Sequence, residues 1–456
     1  MRVRSIRVVT MVAAVIAVAA TGGATRAATA ALPPGNAVAQ WNKIAEDAVV
    51  GSGAFQNEGL VYMAYVSAAV YDATVAVTGG YEPYGVAVRL RAEASPDAAI
   101  AEAGYRTLVH YFPAQAGTLG SFYTEALGRI PDGPAKSLGQ SVGLLAAMHI
   151  IAVRAGDGRM TPIGVTSPFP THPPGPGVWR LTPPFAAPQT PWVANVRPFV
   201  LRSADRFRPA GPPALGSRAW VREFDQIRAY GSATSSVRTD EQTNIARFWS
   251  ANVIRQYNRV AREVADSRGL GLVETARLAA MVNIVGADAQ IAVMDAKYHY
   301  LFWRPVTAID PTAVTSDGFG PAPVGYDDGN PATAEQTGWR PLLTTPNHPE
   351  YPAAHGSITS AMGQVFRSVL GTARIDLDIS GFDPAGPPGN LNAVRHFDRA
   401  SELRDEIVDA RNWAGLHYRF AGVAGVELGR DVAKYDLRHA FRPSDDDEDR
   451  QKDEGR

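Results

Sequence analysis

The sequence predicts an all-α protein built in two helical halves, and three observations carry that prediction. Apolar residues recur at intervals of three and four through most long segments, strand-like alternation is rare, and the longest break in the helical pattern is a proline-rich stretch over residues 166–213. With 456 residues the chain can bury a large core and has room for two large units or about three average ones. Lys plus Arg number 44 against 45 Asp plus Glu, a net charge of −1. That balance provides no electrostatic footprint for nucleic acid or an anionic membrane, so any anion site has to be local.

The elements follow in order. Residues 37–50, 59–77, 95–112 and 135–156 carry the helical period, and Ser95 before Pro96 reads as a cap with proline in the first turn. These make an N-terminal helical bundle over residues 31–165. The stretch over 166–213, with "SPFPTHPPGPGVWRLTPPF" inside it, reads as an ordered connector draped over helices. Helical period resumes at 217–231, 239–267 and 271–303, with Thr239 and Gln242 marking a capped start. A loop rich in glycine and proline is expected over 310–349, then one helix over 353–371 and another over 402–435, closing a C-terminal bundle at 214–442. The charged end, 443–456, reads as a solvated disordered tail.

Residues 1–30 differ from the rest. Arg2, Arg4 and Arg7 precede the apolar run "VVTMVAAVIAVAA", and Ala28, Thr29 and Ala30 offer a small-x-small cleavage site. That is the order of a secretory signal peptide, and the run is short for a permanent membrane anchor. The expectation is a secreted, extracytoplasmic protein without an anchor. With 0 Cys, it would use neither disulfides nor thiolate ligands, leaving any metal or nucleophile role to other side chains.

Three spots carry residues that chemistry uses. In "KYHYLFWRP", Lys297 and Arg304 are seven apart and are expected on nearly the same face of one helix that Pro305 ends. Surface cations that snorkel are the plain alternative, but the aromatic run between them argues for the interior, where buried cations need an anion. In "HPEYPAAHGS", prolines 349 and 352 lead to Ala353, Ala354 and His355 at an apparent helix start. Free backbone N–H groups beside an imidazole can hold an oxyanion and hand it a proton, although a capping or gap-filling histidine is the commoner use. In "ARNWAGLHYRF", Arg411 and His417 are six apart. They combine a planar fork of donors with an imidazole able to serve as nucleophile or metal ligand.

Taken together, these motifs resemble the superfamily of vanadium-dependent haloperoxidases and type 2 phosphatidic acid phosphatases, in its bacterial secreted haloperoxidase-related branch. The signature there is lysine, six residues and Arg-Pro; then Pro-Ser-Gly-His; then Ser-Arg, five residues, His, three residues and Asp. Lys297, Arg304 and Pro305 match the first part, Pro352 and His355 the second, and Arg411 and His417 the third. The resemblance implies two helical bundles packed together, with the anion site in the second. It further implies that Lys297, Arg304, Ala353, Ala354, Arg411 and His417 surround vanadate, or phosphate in the same place. His417 would be the protein ligand of the metal, His355 the acid and base, and Lys297 the group that polarises bound peroxide. Hydrogen peroxide, a halide and a small organic acceptor would be the substrates, with no nucleic acid partner. His348 aligns with a position that is histidine in bromoperoxidases, which favours bromide. A phosphatase with His417 as nucleophile, and a non-catalytic oxyanion-binding relative, are the alternatives.

The departures are four alanines. Ala353 replaces the motif Ser, a loss of one hydroxyl donor on the order of 1–3 kcal/mol. Ala354 replaces Gly and Ala410 replaces Ser. Ala421 stands where the phosphatase motif has the Asp that orients the nucleophilic imidazole, which tilts the expectation away from phosphatase.

Overall fold

In the computed structural model, residues 30–85, 93–161, 175–182, 184, 187–310, 312, 328–383, 385–386 and 391–444 are described. The expected signal peptide, the charged tail from 445 onward and parts of the connector and of the 310–349 loop lie outside them. The first helices are α1 (Ala37–Gly51), α2 (Gln56–Thr78), α3 (Pro96–Tyr111), α4 (Ala116–Gly128) and α5 (Pro134–Val153). After the connector come α6 (Arg218–Tyr230), α7 (Asp240–Phe248), α8 (Val253–Ser267), α9 (Leu272–Tyr300) and the short α10 (Pro305–Ile309). The chain ends with α11 (Ala354–Leu370), a hairpin of β1 (Arg374–Gly381) and β2 (Ala393–Arg399), α12 (Ala400–Trp413) and α13 (Arg419–His439).

The two most apolar long helices form the axis. In α2 and α9 apolar residues occur all round the helix, as suits an element covered on every side, and both are buried along nearly their full length. One core runs from Trp41 and Ile44 of α1 through α2, α3 and α9 to Val365 of α11 and Val432 of α13. Part of its polar content is paired across helices: Asn258 bonds both Asn42 and Asn283, and Asn283 bonds Ser67. A buried amide left single would cost about 1–3 kcal/mol, so this ladder joins α1, α2, α8 and α9 without that penalty.

The connector packs where it is described. Trp192, Val193, Phe199 and Leu201 are buried, and the backbone N–H groups of Phe199, Val200 and Leu201 all donate to the Asp288 carboxylate of α9, at 2.6–2.9 Å. Arg208 forks onto Asp295 one helical face further on.

Four features differ from the sequence expectation. The segment 239–267 is two helices, broken at Trp249–Asn252 so that Asn252 can cap α8 with its side chain. The segment 402–435 is also two helices, because Gly415 turns the chain at φ +75° with its α-carbon face against the Gly231 carbonyl, a place no Cβ would fit. Helix α4 and the β1–β2 hairpin were not anticipated. The hairpin is antiparallel with a register shift between Arg374 and Leu377, and its alternation is confined to a short run of charged outward residues.

Candidate active site

The most consequential correction concerns the first motif. Helix α9 stops at Tyr300, where Leu301 takes φ 48°, a left-handed conformation costly for a branched side chain. Beyond it, Phe302 bridges to Val178 of the connector: the Trp179 N–H donates to the Leu301 carbonyl at 2.7 Å and the Trp303 N–H to that of Gly177 at 3.1 Å. Lys297 is therefore on the last turn of α9, whereas Arg304 caps α10 from outside any helix. The two cations still act on each other, but across a break in the helix at Leu301 rather than along a helical repeat.

The second motif is placed by close helix packing. On α13, Gly422, Gly425 and Gly429 form one stripe, and a Cβ at Gly425 or Gly429 would lie 2.2 Å from the Ala353 carbonyl or 1.9 Å from that of Ser357. The absence of side chains lets the first turn of α11 press directly on α13. Ala353 is the cap residue of α11 and has no side chain with which to satisfy the first-turn N–H groups, while its own N–H donates to the Ala421 carbonyl at 2.9 Å. Ser357 points away, onto the Ala289 carbonyl.

Lys297, Arg304, His348, Ala353, Ala354, His355, Arg411 and His417 are all buried, and the charged and imidazole groups among them act on one another. Lys297 donates from Nζ to the carbonyls of Pro349 and Glu350, both at 2.8 Å. Arg304 is the hub, donating to the carbonyls of His348 (2.9 Å) and Leu416 (2.8 Å), to His417 Nε2 (3.1 Å) and to His348 Nδ1 (3.0 Å). Arg411 donates to the Trp249 carbonyl. A guanidinium has no acceptor, so Nε2 of His417 and Nδ1 of His348 are the unprotonated ring nitrogens.

The electrostatics are those of a cationic pocket short of anions. Among the described residues, no carboxylate forms an ion pair with Lys297, Arg304 or Arg411. Burial lowers all three: Arg304 to about 10, and Arg411 to about 9 with the Arg304 charge adding to the effect; Lys297 falls well below the ordinary lysine range through burial first and the two arginines after it. Burial and then the same cations hold His348, His355 and His417 neutral, well below the usual histidine range.

One residue here escaped the sequence reading. Glu350, fully buried, places Oε1 3.0 Å from His417 Nδ1 and accepts the Tyr418 N–H at 3.0 Å. Burial pushes it up to about 8 against the pull of Lys297 and Arg304. It lies inside the stretch that drew attention for its histidines, and the signal was the need of a buried cation cluster for a built-in counter-charge. The carboxylate missing at Ala421 is thus present from another segment, which removes the sequence argument against phosphatase chemistry.

An aromatic cluster includes Trp303 and Tyr418, the chain neighbours of Arg304 and His417: Trp220, Trp303, Tyr418 and Phe420 pack together, with Tyr418 stacked on Phe420 at 5.3 Å. Nε2 of His355 and Nε of Arg411 are buried without a hydrogen-bond partner among the described residues. An acceptor-rich tetrahedral oxyanion would satisfy such donors, so the residues present fit vanadate or phosphate.

Comparison with known proteins agrees with this reading of the fold. Residues 277–446 match the family described as the VCPO second helical-bundle domain. The vanadium chloroperoxidase of Curvularia inaequalis is 28% identical over 301 residues, 53% of this chain and 48% of that protein, so the chain matches about half the length of this relative. A crystal structure of a bacterial vanadium-dependent iodoperoxidase superposes with TM-score 0.71 at 23% identity, covering 91% of this chain and 100% of the other. The holo form of a bacterial vanadium-dependent chloroperoxidase superposes with TM-score 0.65 at 18% identity, covering 87% and 93%. Over residues 277–446 the chain thus resembles the superfamily of vanadium-dependent haloperoxidases, and the solved structures show that it shares their helical-bundle fold. Within it, the matched portion is the second helical bundle of the chloroperoxidase type.

Proposed function

We propose that the protein is a vanadate-dependent haloperoxidase, using hydrogen peroxide to oxidise a halide, with bromide favoured, for transfer to a small organic acceptor. The observation that supports this best is the gathering of buried Lys297, Arg304 and Arg411 within electrostatic reach of His417, with Arg304 donating to its unprotonated Nε2 and with buried nitrogens of His355 and Arg411 left over beside them. Vanadate, when bound, supplies Lewis-acid activation of peroxide. The chain does the rest. The three cations and the first-turn N–H groups at Ala354 and His355 hold the oxyanion, and His417 Nε2 offers the metal a lone pair. His355, held neutral by burial and by the neighbouring cations, takes or delivers a proton at Nε2. His348 spends its Nδ1 lone pair on Arg304, which leaves Nε2–H as the group able to meet a halide. The reading includes export of the mature chain beyond the cytoplasm, the helical units at 31–165 and 214–442, and no permanent membrane anchor.

A phosphatase on the same scaffold is the second reading, and Glu350 against His417 favours it, since an oriented imidazole is what a phosphorus nucleophile needs. Full-length protein incubated with orthovanadate should brominate a phenolic dye in the presence of peroxide and bromide, and His417→Ala should abolish this. Hydrolysis of an aryl phosphate, inhibited by vanadate, with no bromination would establish the second reading instead. Neither activity, with tightly held phosphate in the purified protein, would make it a binding relative, as the alanines at 353, 354, 410 and 421 would allow.

A further inference from the structure

We propose that Glu350 is the positioning residue for His417, fixing its tautomer and aiming Nε2 at the cationic side of the pocket; the proposal rests on the reading of His417 as the residue that bonds the bound oxyanion. The tautomer follows from the partners alone. Arg304 donates to Nε2, so the ring proton is on Nδ1, and Glu350 Oε1 at 3.0 Å is its acceptor. The same oxygen accepts the N–H of Tyr418, the residue next to His417, so the ring and the backbone that carries it are fastened to one point.

Glu350 is itself held at both ends of its backbone. Its N–H donates to the Phe302 carbonyl at 2.9 Å, and its carbonyl accepts from Lys297 Nζ. The segment that carries Lys297 and Arg304 and the segment that carries His355 are therefore tied together at the residue that orients His417. Glu350 Oε2 has no partner among the described residues and the side chain is fully buried. An isolated acid would not be retained in so apolar a place for stability, because a buried unsatisfied oxygen costs free energy. Its benefit lies in the imidazole: a carboxylate on the far nitrogen fixes ring orientation and makes the near nitrogen a better donor to a metal or phosphorus centre. Ala421, the position where the superfamily's phosphatase motif would put such a group, contributes only its backbone oxygen, to Ala353. The function has moved from α13 to the loop before α11.

The test uses full-length protein with ¹⁵N-labelled histidine, native and as Glu350→Gln and Glu350→Ala, each checked for folding by circular dichroism and thermal melting. Expected for the native chain is a single His417 tautomer with a strongly downfield Nδ1–H proton. Glu350→Gln keeps the tautomer through its carbonyl oxygen but moves the proton upfield; Glu350→Ala loses the single tautomer. Orthovanadate binding, read by equilibrium dialysis and elemental vanadium, weakens roughly 10–100-fold in Glu350→Ala and less in Glu350→Gln. An His417 resonance that does not move in a folded variant overturns the proposal whatever the affinity; should Glu350→Ala fail to fold, Glu350→Gln decides it. If the resonance moves while the native protein binds no vanadate, the positioning role stands and the oxyanion reading of the site falls.

Discussion

Replacing Arg304 by lysine separates charge from geometry, since Arg304→Lys keeps the cation and removes the fork. The native guanidinium makes four hydrogen bonds, to His348 O, His348 Nδ1, Leu416 O and His417 Nε2, and is wholly buried. A single ammonium at the end of a shorter reach can keep at most two of these contacts, which lie on different segments. Each lost bond to a charged group costs about 1.5–3 kcal/mol, so the substitution should remove roughly 3–6 kcal/mol. Against a typical total of about 5–15 kcal/mol, that is a large share. Urea unfolding followed by tryptophan fluorescence measures it, with the slope checked for constancy. Should the midpoint correspond to a loss below about 1 kcal/mol, Arg304 is not the hub of the site and the geometric reasoning fails.

Asp436 is buried with neither carboxylate oxygen bonded, and burial, with Asp288 beside it, pushes its carboxyl well above the usual range. The folded chain then keeps a proton that the unfolded chain releases above about pH 4, so this group's contribution to stability falls as pH rises from there through the folded value. Asp436→Asn should flatten that decline, giving higher stability than native at pH 8 and little change at pH 4 in parallel urea titrations. Gly429→Ala should destabilise by about 1–3 kcal/mol or more, because its Cβ would stand 1.9 Å from the Ser357 carbonyl and force α11 off α13; a thermal melt within one degree of native would contradict the close-packed stripe. Ala353→Ser should tighten orthovanadate binding by about tenfold through one added hydroxyl donor, measured by equilibrium dialysis, with unchanged affinity counting against Ala353 as part of the oxyanion cradle.

The helical class and the location of most helices were legible because they depend on local period and on caps such as Ser95, Thr239 and Gln242, whose bonds are all present. Residue types at fixed spacings singled out Lys297, Arg304, His348, His355, Arg411 and His417, which are buried within electrostatic reach of one another. The way Lys297 and Arg304 reach one site was not legible, because a helical repeat of seven residues and a left-handed turn at Leu301 can both leave the two side chains within electrostatic reach of each other. The turn is paid in backbone strain at φ 48° and secured by the pairing of residues 177–179 with 301–303. Those are long-range contacts, invisible to a window of sequence. Glu350 was hidden for a related reason. A glutamate between two prolines reads as a loop acid until the two segments that enclose it are known.

The cost of burying this cation cluster links fold to function. Three cations in a pocket that burial alone drives toward neutrality, with three imidazoles held uncharged beside them, form an arrangement that opposes folding. Glu350 offsets part of it, and backbone carbonyls of Pro349, Glu350, His348, Leu416 and Trp249 offset more, each aimed at a donor that a helix or loop could have left to solvent. The stable remainder of the molecule, with α2 and α9 buried along most of their length and α11 pressed against a glycine stripe, is what allows such a pocket to persist without collapsing. A multivalent oxyanion would relieve the repulsion among cations already gathered, and the reorganisation it would require is local: Arg304 would have to give up its bond to His417 Nε2 before that nitrogen could meet the central atom. Preorganised charge of this kind discriminates by geometry and valence together: a halide is too small and too weakly charged to satisfy Lys297, Arg304 and Arg411 at once, and a flat carboxylate cannot meet donors that approach from α9, α11 and α12.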